Sequence, residues 1–316
     1  MHYYKSKNKV VELSELGFGC CPMGLHGWGD TSESELIRAV HIALERGVTL
    51  FDTADIYGLG TSERILGKAL GDKRSQAKIA SKFGVRRDSK GKTFYDNSSQ
   101  WIDKALEASL KRLNTEYLDL YQVHYHDKKI PLEELFEILE NKCNEGKILS
   151  YGVSNIHEFT ESLPPNLVSF SMEYSLSNRE NESVIRSLVD KYGLSFLSWG
   201  SLGQGILSGS YNKNTFFSDS DRRSRPVYRN FHGKKLLHNL EIIKIMKNIS
   251  EENSRPLSQI AIRWILDNLK FKKSVLLGIK CPADIESALG AFDWQLTEQQ
   301  LQRLNSVSED SLLTIR

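Results

Sequence analysis

Val48-Thr49-Leu50-Phe51 runs without a break into Asp52-Thr53-Ala54-Asp55-Ile56-Tyr57-Gly58. The first four residues form a short, apolar, β-rich run, and the residues after it are a cluster of polar groups at its carboxyl end. Just upstream, Ser32 and Glu35 make a capping-box pair, Leu36, Ile37, Val40, Ala43 and Leu44 recur on one helical face, and Gly47 stops the helix. A helix leading into a buried strand that ends in polar side chains is the repeating unit of a parallel α/β sheet.

The same rhythm continues from Leu16 to Gly290. Strands are expected near Leu16 to Gly19, Val48 to Asp52, Lys78 to Ser81, Tyr117 to Val123, Leu149 to Val153, Leu167 to Phe170, Leu194 to Trp199 and Ser274 to Leu277. Further helices are expected at Ser98 to Leu113, Pro131 to Asn144, Glu182 to Lys191, Lys235 to Asn253 and Pro256 to Asn268. No Gly-x-Gly-x-x-Gly turn follows an early strand, and Gly58, Gly60 and Gly67 have the wrong spacing. Eight βα units therefore predict an α/β fold of the (β/α)8 TIM barrel type, one domain over residues 1–316 with a core of about 13–292. Ser208 to Gly233, the longest irregular stretch, reads as a flexible lid or surface loop.

Composition narrows the function. The 42 basic and 40 acidic residues leave a charge of +2 with no basic tract, so neither nucleic acid nor an anionic membrane is an expected partner. No apolar run approaches a membrane span, and the start Met1-His2-Tyr3-Tyr4-Lys5 lacks a signal pattern, so a cytoplasmic location is expected. Cys20, Cys21, Cys143 and Cys281 have no zinc-site spacing and read as reduced thiols, and no metal is expected.

Four polar residues fall at or just beyond expected strand ends, where a barrel gathers its chemistry. Asp52, Lys82 and His124 lie at strand ends, and Tyr57 follows five residues after Asp52. A phenol with an ordinary pKa of about 10 becomes an effective acid near neutrality when an adjacent ammonium stabilises its phenolate. Lys82 suits that role, Asp52 is the natural counter-ion of Lys82, and His124 suits a hydrogen bond to a carbonyl oxygen. Such a set protonates a carbonyl and needs a separate hydride donor.

Five segments in order resemble the aldo-keto reductase superfamily. They are Asp52 to Gly58, Ser81-Lys82-Phe83-Gly84, Tyr121-Gln122-Val123-His124, Gly152-Val153-Ser154-Asn155, and Glu173-Tyr174-Ser175-Leu176 with Arg179. The resemblance runs from about Leu13 to Phe292 and implies a barrel binding NADPH or NADH. It implies Asp52, Tyr57, Lys82 and His124 as a catalytic tetrad, with Tyr57 as general acid. It also implies nicotinamide contacts from Ser154, Asn155 and Ser171, the last replacing a usual glutamine, and an aromatic stack from Trp199.

Gly200-Ser201-Leu202-Gly203-Gln204-Gly205 resembles the loop that covers the pyrophosphate, with Gly200-Ser201 in place of Ser-Pro. Gly19 and Asp52 join the cofactor set, as do Gly278, Lys280, Asp284 and Ala288 near the adenosine phosphate. Lys280 favours the 2′-phosphate of NADPH, whereas Asp284 opposes it and leaves NADH as the alternative. Met23, Trp28, Tyr57, His124 and Tyr125 are the expected substrate-binding residues, with Trp199 beside them, for a small carbonyl compound or sugar. The resemblance also admits a noncatalytic, nucleotide-binding regulatory subunit on the same barrel, and the altered contacts at Ser171 and Ser287-Ala288 suggest, as a third reading, an enzyme that does not exchange its cofactor freely.

Overall fold

The computed structural model describes residues 1–159 and 162–309. Its centre is a closed barrel of eight parallel strands: β1 (Leu16–Gly19), β2 (Leu50–Asp52), β3 (Lys78–Phe83), β4 (Leu120–Val123), β5 (Tyr151–Ser154), β6 (Leu167–Glu173), β7 (Ser195–Trp199) and β8 (Lys273–Gly278). Strands pair in chain order, and β8 closes onto β1 with Val275 opposite Leu16 and Gly278 opposite Gly19. These are the eight strands expected from the sequence, with some ends displaced. β6 continues to Glu173 rather than stopping at Phe170 because β7 pairs with it as far as Trp199.

Side chains two residues apart on a strand share a face. Leu50, Ala80, Leu120, Val168, Leu197 and Leu276 fill the barrel interior. On the same faces, one step toward the carboxyl ends, stand Asp52 after Leu50, Lys82 after Ala80, Gln122 after Leu120 and Trp199 after Leu197. The lumen is therefore apolar below and polar at its mouth. An antiparallel hairpin, Tyr3–Lys5 with Glu12–Ser14, places Val11 and Leu13 against the apolar floor.

The helices are α1 (Glu33–Glu45), α2 (Thr61–Leu70), α3 (Ser99–Leu113), α4 (Leu132–Asn144), α5 (Glu182–Tyr192), α6 (Gly233–Asn253), α7 (Leu257–Asn268), α8 (Pro282–Leu289) and α9 (Glu298–Glu309). The Ser32 hydroxyl accepts the Glu35 N–H at 3.3 Å, as the capping pair requires. Three helices, α2, α8 and α9, lie outside the sequence reading. In α2 the interrupting Gly67 has a packing cause, since a Cβ there would stand 2.7 Å from the Leu113 carbonyl oxygen at the end of α3. Between β5 and β6 no helix occurs among the described residues. No helix among the described residues is long and apolar enough to cross a membrane.

Ser208 to Gly233 carries a small core of its own. Tyr211, Phe217 and Phe231 pack edge-on or tilted within 5.5 Å of one another. The Arg223 guanidinium lies over their rings and pairs with Asp221. The Arg222 backbone N–H donates to the Gly27 carbonyl at 3.1 Å, tying this loop across the mouth to the loop after β1.

Candidate active site

Asp52 and Lys82 face each other across the mouth, each about 4% exposed. Lys82 Nζ donates to Asp52 Oδ2 at 2.6 Å, to the Thr53 carbonyl at 3.0 Å and to the Tyr57 hydroxyl at 3.5 Å. A buried ammonium is tolerable only with such partners. The loop after β2 returns Tyr57 over the strand ends through a turn in which the Tyr57 N–H donates to the Ala54 carbonyl. The Tyr57 and His124 rings meet edge to face, with centroids 6.0 Å apart. The four residues expected to act together are thus brought together.

Burial, reinforced by Cys21 and Asp52, pushes the Tyr57 phenol well above its ordinary range. Burial dominates in this structure, and Tyr57 holds its proton. A protonated phenol is the form that can give a proton to a carbonyl. Burial, and then the Lys82 ammonium, push the His124 imidazole well below its ordinary range, so the ring is neutral at pH 7. His124 Nδ1 is buried without a hydrogen-bond partner.

The residues expected to meet nicotinamide stand beside this group. Ser154 and Ser171 are opposite in register, and their buried hydroxyls are 2.5 Å apart. Each thus supplies the other with a partner. Asn155 adopts φ of +59° while its N–H donates to the Ser171 carbonyl at 2.9 Å. Trp199 ends β7 half-buried, and Gly200, Gly203, Gln204 and Gly205 all have positive φ, which exposes backbone in the turn that follows. Ser201 points inward to the Ser198 carbonyl, and Gly19 pairs with Gly278 at the end of β1.

The sequence model of the Aldo/keto reductase family matches residues 15–309. The chain belongs to that family. It is 31% identical over 320 residues to aldo-keto reductase YhdN of Bacillus subtilis (strain 168), covering 99% of this chain and 95% of that one. It is 30% identical over 336 residues to a chloroplastic pyridoxal reductase of Arabidopsis thaliana, covering 98% and 87%. Among solved structures, a glycerol dehydrogenase of Gluconobacter oxydans superposes with a TM-score of 0.87 at 29% identity, covering 98% of this chain and 96% of that one. The protein is an oxidoreductase of aldo-keto reductase type, acting on small-molecule carbonyl or alcohol groups, in a family that uses nicotinamide cofactors.

Several residues expected at this reductase's site are engaged by other parts of the protein. Met23 is fully buried in the core beneath the loop after β1 and does not line the mouth. Ala288 is buried among core residues. The Gln204 amide donates to Glu173 Oε1 at 2.8 Å and accepts from Asn230 Nδ2, so its side chain braces the loop. Leu202 packs on the core. Asp284 Oδ2 accepts the Lys280 backbone N–H at 2.8 Å and sits in the first turn of α8, where the helix dipole favours its charge.

The rim is aromatic. Tyr125 stacks between His124 and Tyr95, and Trp28 meets Tyr228 edge-on. Tyr95 and Tyr228 were missed because they come from the Val85–Arg87/Thr93–Tyr95 hairpin and the long loop, neither of which the βα rhythm locates. Gln122 lies inside the Tyr121 to His124 segment, where the sequence attaches no role to it. Its two-residue spacing from His124 was the available signal that it shares the lumen face.

Proposed function

We propose that this aldo-keto reductase reduces the carbonyl of a small aldehyde, ketone or sugar, and oxidises the corresponding alcohol in reverse, with Tyr57 giving or taking the proton. The observation that carries this reading is the Lys82 ammonium reaching both Asp52 and the Tyr57 hydroxyl at one strand end, with His124 edge-on to the phenol. His124, held neutral by burial and edge-on to the Tyr57 ring, suits a hydrogen bond to the substrate oxygen. Lys82 compensates the charge that develops on Tyr57 as the proton leaves, and Asp52 holds Lys82 in place. The relatives include a glycerol dehydrogenase and a pyridoxal reductase, names that support both reaction directions.

The residues present fit a nicotinamide dinucleotide. Positive-φ backbone at Gly200 and at Gly203 to Gly205 suits close approach of phosphates, and Trp199 offers a flat face at the mouth. The bound cofactor would supply the hydride. Lys280 feels the Asp221 carboxylate, which is itself paired with Arg223, and the Asp284 carboxylate is engaged by backbone at the start of α8, so the Lys280 ammonium supports NADPH over NADH. In titrations following tryptophan emission, the wild-type chain is expected to bind NADPH more tightly than NADH. Tyr57→Phe is expected to bind NADPH almost as well while carbonyl reduction falls by roughly 10² or more. Near-normal turnover by that variant removes Tyr57 from the role, and binding of neither nucleotide points to a barrel that does no nucleotide chemistry or to a site already occupied by a cofactor that does not exchange.

A further inference from the structure

Gln122 is fully buried in the lumen and stands opposite Lys82 on one side and Gly152 on the other. Its Nε2 donates to Asp52 Oδ1 at 3.1 Å, while Lys82 Nζ donates to Oδ2 of the same carboxylate at 2.6 Å. The side chain reaches Asp52 from β4, past β3, and space for it comes from β5. A Cβ on Gly152 would lie 3.4 Å from Gln122 Cγ and only 2.4 Å from Ser169 Oγ. Chemistry settles the amide's orientation, because the reversed amide would set its carbonyl oxygen against a carboxylate. Gln122 Oε1 has no partner, so the bond to Asp52 is the side-chain hydrogen bond that gives this buried amide its place.

We propose that Gln122 is a positioning residue for proton transfer: by holding Asp52 Oδ1 it keeps the carboxylate oriented so that Lys82 stays within reach of the Tyr57 hydroxyl. This rests on the function proposed above. A carboxylate held through one oxygen can turn, and the ammonium bound to the other oxygen shifts with it, pivoting on its remaining bond to the Thr53 carbonyl at 3.0 Å. The contact at risk is the longest in the chain, the 3.5 Å approach of Lys82 to Tyr57. Its loss falls on the phenolate that forms during reaction, so the chemical step suffers and ground-state binding does not.

The groups facing Tyr57 are Lys82, Asp52, Cys20, Cys21, Tyr125 and His124, of which Lys82 is the cation in contact with its hydroxyl. Loosening Lys82 therefore raises the pH at which Tyr57 can accept a proton from an alcohol.

The test compares Gln122→Met, similar in length without a donor, and Gln122→Glu, as NADPH or NADP complexes. For Gln122→Met, kcat is expected to fall about tenfold with the carbonyl KM and the NADPH Kd nearly unchanged. The rising limb of its alcohol-oxidation pH profile is expected to move up by about 0.5–1 unit. The carboxyl of Gln122→Glu can donate to Asp52 only when protonated, so that variant is expected to recover activity at low pH and lose it as the pH rises. Wild-type kcat with an unshifted profile in Gln122→Met, a parallel loss of cofactor affinity, or a pH-independent loss in Gln122→Glu overturns the proposal. An inactive Tyr57→Phe beside an unaffected Gln122→Met defeats the clamp alone, whereas an active Tyr57→Phe defeats the reading beneath it.

Discussion

Asp55 stands three residues past Asp52 and meets different company. Burial, then the Glu63 carboxylate, raise its pKa to about 7, against the lowering effect of Arg112 and Lys82, and its Oδ1 has no partner. In the unfolded chain the group titrates near its ordinary 3.8. Between those values the folded protein holds a proton that the unfolded chain has released, so stability from this group is fully present below about pH 3.8. It is lost as pH rises through about 7, where the folded carboxyl ionises. Asp55→Asn keeps the shape and removes the ionisation. The variant's Tm is expected to exceed that of wild type by more at pH 8 than at pH 5, in thermal melts of both proteins. Equal shifts at the two pH values would show that Asp55 does not titrate this way. Asp55 and Asp52 are three positions apart in one motif, and the sequence shows two carboxylates without showing that one faces an ammonium and the other a second carboxylate.

At the scale of elements, strand ends were legible because short apolar runs abut polar residues, as Val48 to Phe51 abuts Asp52. Helix α2 was not legible, since Gly60 and Gly67 look like breaks until α3 is seen packed against it. What joins α2 to α3 and β3 is Glu63, wholly buried, which accepts Ser81 Oγ at 2.6 Å and Arg112 Nε at 2.6 Å. Removing one partner of such a pair leaves an uncompensated charge inside. Arg112→Ala is therefore expected to lower unfolding free energy by about 3 kcal/mol in urea titrations. A loss below about 1 kcal/mol, the range of exposed pairs, would mean that solvent already screens Glu63. Met23 and Ala288 illustrate the same limit: whether a loop or helix residue faces a mouth or a core depends on elements distant in sequence.

Across the whole molecule, the two ends of the lumen divide the work. The carboxyl ends of the strands hold Asp52, Lys82, Gln122 and His124, and the floor holds an apolar cluster closed by the amino-terminal hairpin. Leu13, 1% exposed, is paired with Tyr4 across that hairpin and packs among Leu50, Ala80 and Leu276. The hairpin precedes the first barrel strand and breaks the βα rhythm, so the sequence reading passed over it, yet it seals the floor. Truncating Leu13 removes buried methyl groups where strands on every side restrict collapse, a setting in which Leu→Ala costs about 2–5 kcal/mol. Leu50 and Ala80 couple the floor to Asp52 and Lys82 only through strand backbone, which the barrel's paired neighbours hold rigid. Leu13→Ala is accordingly expected to lose about 2–5 kcal/mol of stability while kcat/KM for carbonyl reduction stays within about twofold of wild type at temperatures where both are folded. Urea unfolding and initial rates on the same preparations check both halves. A fall in kcat/KM that follows the loss of stability would show that the floor also sets the geometry at the mouth, and the division of labour between the two ends would not hold.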